Sequence, residues 1–229
     1  MDVKMRGLKG THRYLTSGLL TLLISASLAF SAFGGQFEDA VFAYQRGDYA
    51  KAYRLFKPLA ELGVPRAQFN LGVMYETGRS VPQDYSEAAM WYRKAAEQGI
   101  PAAQHNLGAM FSKGQGVPQD YSEAAKWYLK AAERGVPQSQ FNLGLLYADG
   151  LGVTQDYVLA HMWINLATSR YPTSEKEKQE GAAKIRDLAA SMMTSAQIAE
   201  AERLAQEWKP KRRSESSLSL RQGPVTKNR

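Results

Sequence analysis

The chain has 229 residues, 44% hydrophobic and 22% charged, with no cysteine and a net charge of +7. That apolar content excludes global disorder, and the missing cysteines exclude disulfides, thiol nucleophiles and cysteine-ligated metals. The positive charge sits at the ends: residues 1–35 carry Lys4, Arg6, Lys9 and Arg13 against Asp2 (+3), and residues 209–229 carry Lys209, Lys211, Arg212, Arg213, Arg221, Lys227 and Arg229 against Glu215 (+6), which leaves 36–208 at −2. A nucleic-acid-binding domain would carry Lys and Arg on its folded surface, so no nucleic-acid partner is expected.

Residues 1–35 have the three parts of a secretory signal. Lys4 to Arg13 is basic, Leu19 to Phe30 is apolar, and Ala29/Ser31 or Ala32/Gly34 supply small residues for cleavage. No charge falls between Tyr14 and Phe37, so the same stretch can also span a bilayer as an uncleaved anchor. Either way the basic flank stays cytoplasmic and the rest is exported. The chain is therefore expected to be exported, free or membrane-anchored.

Residues 36–66 read as a degenerate first hairpin. A helix runs over Gln36 to Gln45, Gly47 and Asp48 make a tight turn, and Tyr49 to Glu61 places Ala52, Leu55, Phe56 and Leu59 on helical spacing. Pro58 lies inside the second helix, where it removes one backbone hydrogen bond.

Two near-identical copies follow, over 67–102 and 103–138, and a looser third occupies 139–172. Leu71, Leu107 and Leu143 are 36 residues apart, as are Trp91, Trp127 and Trp163. A fixed period of that size means a solenoid of stacked supersecondary units. Each unit has one grammar. Helix A spans about Ala67 to Tyr75, and a glycine-bearing loop follows. Asp84 and Asp120 are N-caps, with Glu87 and Glu123 expected to complete capping boxes. Helix B runs Tyr85 to Gln98 and Tyr121 to Arg134, with Gly99 and Gly135, then Pro101 and Pro137, as stop signals.

The third copy loses the capping glutamate to Leu159 and has no glycine stop before Tyr171. Ser174 with Glu177 is expected to open a helix to about Met192, and Thr194 with Gln197 another to about Trp208. These two helices, 173–208, lack the repeat signature and are expected to cap the stack. Residues 209–229 are polar, basic and aperiodic, the composition of a disordered tail. Its charge suits acidic partners or anionic lipid.

Chemistry-bearing constellations are few. Of His12, His105 and His161, no two have metal-ligand spacing; Gly114/Gly116 and Gly150/Gly152 lack the strand and GK[ST] of a phosphate loop; and no serine is paired by motif with a base. No catalytic residue, metal or cofactor is therefore expected. The Trp91, Trp127, Trp163 stripe recurs at every period, as an inter-repeat core does. The sharper candidate is the row Asn70, Asn106 and Asn142, off the Ala/Leu/Tyr face of helix A, whose amides can hydrogen-bond an extended peptide. Phe69, His105, Phe141, Val73 and Glu76 lie beside it. The alternative is that these asparagines merely tie helix A to a neighbouring loop.

The pattern A-x-x-N-L-G-x-x-Y-x-x-G-x-x-V-x-Q-D-Y-x-x-A-x-x-W-Y-x-K-A-A-x-x-G, nearly complete from Ala67 to Gln138, resembles the Sel-one-like repeats, relatives of the tetratricopeptide repeats. The resemblance implies an all-α, right-handed solenoid of helix-turn-helix repeats, serving as an adaptor or scaffold for protein or peptide partners, to which the residues of 173–208 add the C-terminal two-helix cap. A cysteine-rich secreted branch is linked to β-lactam binding; this chain lacks those cysteines, so that activity is not carried over. The resemblance, to a family whose members often work in the bacterial envelope, implies a periplasmic location for an exported chain. The leading expectation is an exported, non-enzymatic scaffold binding a protein on its concave face. The alternatives are an envelope structural protein held by its N-terminal segment and a small-ligand or carbohydrate-active envelope protein.

Overall fold

A computed structural model describes residues 35–211, and the expected export segment and most of the basic tail lie outside them. All regular structure among the described residues is helical: α1 (35–45), α2 (Tyr49–Glu61), α3 (Pro65–Thr77), α4 (Tyr85–Glu97), α5 (Pro101–Lys113), α6 (Tyr121–Ala132), α7 (Pro137–Asp149), α8 (Tyr157–Arg170), a single 3₁₀ turn (Thr173–Glu175), α9 (Lys176–Ser191) and α10 (Ser195–Glu207). Successive helices from α2 to α9 pack on one another in chain order, the pattern of a solenoid.

Pro65, Pro101 and Pro137 each open a helix A at its first position, where the missing N–H costs nothing. Read from sequence they only end the preceding helix B; they also begin the next unit, so the units start two residues earlier than the sequence boundaries. Pro58 does fall within α2.

The aspartate caps form as expected. Asp84 accepts from the Ser86 and Glu87 amides at 2.8 and 3.0 Å, and Asp120 accepts from Ser122 and Glu123 at the same distances. The reciprocal half of the capping box does not form. The Asp84 and Asp120 amides are spent on the Tyr75 and Phe111 carbonyls, both 3.0 Å away, which close the long loop. Glu87 is freed to accept from the Trp91 indole at 3.2 Å, and Glu123 to pair with Lys126 at 2.7 Å. The Ser174/Glu177 box is absent too: the 3₁₀ turn intervenes, and α9 begins at Lys176 without a side-chain cap. Thr194 and Gln197 do form a full box at α10.

Each loop rides over the previous unit. Gly116 has φ +70°, and a Cβ there would stand 2.1 Å from the Tyr85 carbonyl oxygen. Inside the units Gly108 lets α5 meet α6, since its Cβ would lie 2.8 Å from the Tyr128 ring. The tryptophan stripe is core, with Trp91, Trp127 and Trp163 all buried. Lys94 and Lys130 lie 4.2 and 4.0 Å over the first two rings, and Trp208 meets the third edge-on at 6.2 Å.

The cap differs from a fifth hairpin. α9 packs on α8 as a further helix A would, but α10 turns back onto α8 rather than pairing with α9. The chain then continues along the repeats, where the Lys211 amide donates to the Glu133 carbonyl at 2.8 Å. Residues 209–211, read from sequence as the start of a disordered tail, are therefore docked.

Candidate partner-binding face

The candidate residues fall on the helix-A row α3, α5 and α7 and all remain partly exposed. Neighbouring helices bring them together in rungs. The buried Tyr92 of α4 donates its hydroxyl to Glu76, and Asn106 of the next unit reaches the same hydroxyl. One unit on, the Tyr128 hydroxyl is met by Asn142 and Ser112. Burial raises both phenols, Tyr128 to about 12, with its Asn142 and Ser112 contacts opposing the rise; at Tyr92 the Glu76 carboxylate adds to it.

Asn70 has no such partner. The position one unit before Tyr92 is Phe56, which carries no hydroxyl, so the Asn70 amide bonds back to the Arg66 carbonyl at 2.8 Å. Asn106 and Asn142 thus approach a framework tyrosine, while the Asn70 amide bonds within its own helix.

The next row stacks on the same tyrosines. Phe69 lies 5.8 Å from the Tyr92 ring and His105 lies 5.7 Å from the Tyr128 ring, both tilted. Phe141 packs instead with Ile164, Ala167 and Tyr171. His105 substitutes for a stacking phenylalanine, and its Nδ1 stands 2.8 Å from the Oγ of fully buried Ser139. Burial, with Lys113 nearby, lowers its pKa. Val73 is half-buried against the core.

The face offers amides, hydroxyls and half-exposed apolar carbon. Among the described residues no group of three His, Asp or Glu could hold a metal, and no helix is long and apolar enough to cross a membrane.

A second repeated row escaped the sequence reading. Gln68, Gln104 and Gln140 are buried and donate to the Ala60, Ala96 and Ala132 carbonyls, each at 3.1 Å. Each adds a second bond to a last-turn carbonyl of the preceding helix B that already accepts from the Gly63, Gly99 or Gly135 amide, and so ties one unit to the next. Their spacing of 36 was visible in the sequence; their burial was not.

The profile of the Sel1 repeat matches residues 35–64, 65–100, 101–136 and 137–170, more than half of the chain, with boundaries at the helix-opening prolines. The chain belongs to the Sel1-repeat family. Sel1-repeat proteins generally mediate protein–protein interaction and are generally non-catalytic. Among solved structures, a protective antigen present in uropathogenic Escherichia coli strains, displaying an SLR fold, is 40% identical with a TM-score of 0.58, over 61% of this chain and 31% of that one. A Sel1 repeat protein from Oxalobacter formigenes is 33% identical with a TM-score of 0.56, over 58% of this chain and 53% of that one. The chain thus spans about a third and about half of those Sel1 proteins. No curated protein matches it.

Proposed function

We propose that this Sel1-repeat protein is an exported, non-catalytic scaffold that holds a protein or peptide partner along the concave face made by α3, α5 and α7. The observation that carries the reading is the helix-A row itself. Its residues are half-exposed in every unit and differ between otherwise near-identical copies: Phe69 against His105, Val73 against Ala109, Glu76 against Ser112. A framework held constant under a varied surface suits recognition of one partner, and solenoids present extended faces of this kind. Export is inferred from the basic, apolar and small-residue succession of residues 1–35.

The test of binding is cross-linking capture by the full chain and by a Val73→Arg/Ala109→Arg variant, with partners identified by mass spectrometry. A partner captured by the native chain and lost by a folded variant is the expected result; equal capture by both would overturn the assignment of this face. Export is checked by the mature N-terminus in the periplasmic fraction, where an intact Met1 in the membrane fraction would replace the soluble form with an anchored one.

A further inference from the structure

One acceptor recurs at the edge where each helix B gives way to the next helix A. Glu61, Glu97 and Glu133 stand 36 residues apart at the ends of α2, α4 and α6, and four residues after each comes Pro65, Pro101 or Pro137. The amide that would bond to the glutamate's carbonyl in a continuing helix is therefore missing, because proline has no N–H. Each position offers an orphan carbonyl with a carboxylate on the same residue.

At Glu133 the chain itself fills both. Residues 208–211 pass from Arg170, at the end of α8, to Glu133, at the end of α6. The Lys211 amide donates to the Glu133 carbonyl at 2.8 Å, and its amine pairs with the Glu133 carboxylate. Glu133 is half-buried there, whereas Glu97 and Glu61 are exposed. No turn or loop amide among the described residues donates to either of their carbonyls. The run heads away from the cap, from α8 past α6, and the next acceptor in that direction is Glu97.

We propose that residues 212–220 continue this run as an extended strap along the same edge, past Glu97 and on to Glu61. Residues 208–211 cross one unit in three residue steps, about 10 Å of extended chain, so the next two acceptors fall near Ser214 and Ser217. The sequence suits that register. Arg212 and Arg213 come just before the first, within side-chain reach of Glu97 and of the negative end of α4; Glu215 is the segment's only acid. Leu218 and Leu220, two residues apart and so on one side of an extended chain, come just after the second. Beside Glu61 stands Leu62, 65% exposed. Its equivalents in the later units are Gln98 and Arg134, so the one apolar residue of that row lies where the two leucines arrive. The edge is separate from the row of Val73 and Ala109, and the strap stands whether or not that row holds a partner.

Because the chain has no cysteine, Ser219→Cys gives the ¹⁵N-labelled full chain a single site for a nitroxide, between the two leucines and pointing away from the edge. In the strap, the nitroxide broadens the amides of Leu62, Gly63 and Val64 more than that of Gly135, which a tail tethered only at Lys211 would broaden most. Salt at about 0.5 M should weaken the effect, since it screens exposed charges. Glu97→Lys, an exposed change, should lower the broadening at Gly63 about twofold or more, and Leu62→Lys, which removes the apolar contact, should also lower it. Broadening centred on Gly135, or broadening at Gly63 indifferent to either substitution, overturns the proposal. In a mixture of ¹⁵N chain without nitroxide and nitroxide-bearing chain without ¹⁵N, the Gly63 amide should stay sharp. Broadening there would place the segment on a second copy and overturn the strap.

Discussion

The imidazole Nδ1 of His105 lies 2.8 Å from the hydroxyl of Ser139, which is fully buried. One unit earlier the corresponding residues are Phe69 and Ala103, and neither carries a polar group. The pair is thus a polar substitution made on both sides of one contact. Removing one side strands the other: His105→Phe leaves a buried hydroxyl without this partner, at a cost of about 1–3 kcal/mol. Restoring the first unit's pair with Ser139→Ala as well should bring stability back to within about 1 kcal/mol of the parent, because replacing both partners by apolar groups is nearly neutral. Urea unfolding of the two single variants and the double closes the cycle. Simple additivity would mean that the two side chains do not communicate.

The histidines also give stability a pH dependence. Burial lowers the pKa of His105 and of His161, with Lys113 adding to the first; at His161 Arg186 adds to the lowering while Glu202 and Asp187 of α10 and α9 oppose it. For a group whose folded pKa is depressed, the unfolded chain binds protons first. The stabilisation is therefore complete above the unfolded value of about 6.5 and is lost as pH falls from there through the folded value. Thermal melts taken from about pH 7.5 down to about pH 5 should show Tm falling, in a range above the ordinary carboxylate pKa values. His161→Gln should flatten the slope, and an unchanged slope would assign it to other groups.

Two glycines should answer the same substitution in opposite directions. Gly116 combines φ +70° with a Cβ position 2.1 Å from the Tyr85 carbonyl oxygen, whereas Gly181 has ordinary helical backbone and open space. Gly116→Ala should cost at least about 2 kcal/mol through left-handed strain, to which the clash adds. Gly181→Ala should stabilise by about 1 kcal/mol through helix propensity alone. Denaturant midpoints of the two variants read both signs in one experiment. A destabilising Gly181→Ala would show that the glycine serves the fold.

Much of this architecture was legible in the sequence because repetition is a one-dimensional signal. Leu71, Trp91 and Asp84 recur at a fixed offset, and their roles in core and cap follow from residue type. The asparagine row was legible as a row, but its partners were not. Asn106 meets Tyr92 across a unit boundary, and a period shows which positions recur without showing which of them face one another. Glu87 illustrates a second limit: its capping role was plausible locally, yet the amide it would have accepted from is taken by Tyr75 in the long loop. The return of α10 onto α8 left no local pattern, because it depends on Trp208 finding Trp163 from a non-repeating helix.

That return should be measurable as a separate unit of stability. The Trp208 ring sits edge-on to Trp163 at 6.2 Å, the Arg170 guanidinium covers it at 4.4 Å, and with Pro210 it closes over Gly135. Just beyond, the Lys211 amide donates to the Glu133 carbonyl at 2.8 Å and its amine pairs with the Glu133 carboxylate. The aromatic contacts should dominate, since the exposed ion pair is worth about 1 kcal/mol or less. Trp208→Ala should therefore cost about 2–3 kcal/mol, less than the 3–5 of a fully buried tryptophan because Trp208 is only half-buried. Lys211→Ala should cost under about 1 kcal/mol. Hydrogen exchange locates the loss: α10 amides should lose protection in Trp208→Ala while those of α3 to α6 keep theirs, because solenoid units open locally. If α10 stays protected, its hold on the stack lies in Ala201 and Leu204, which also face the core, and Trp208 is a cover rather than an anchor.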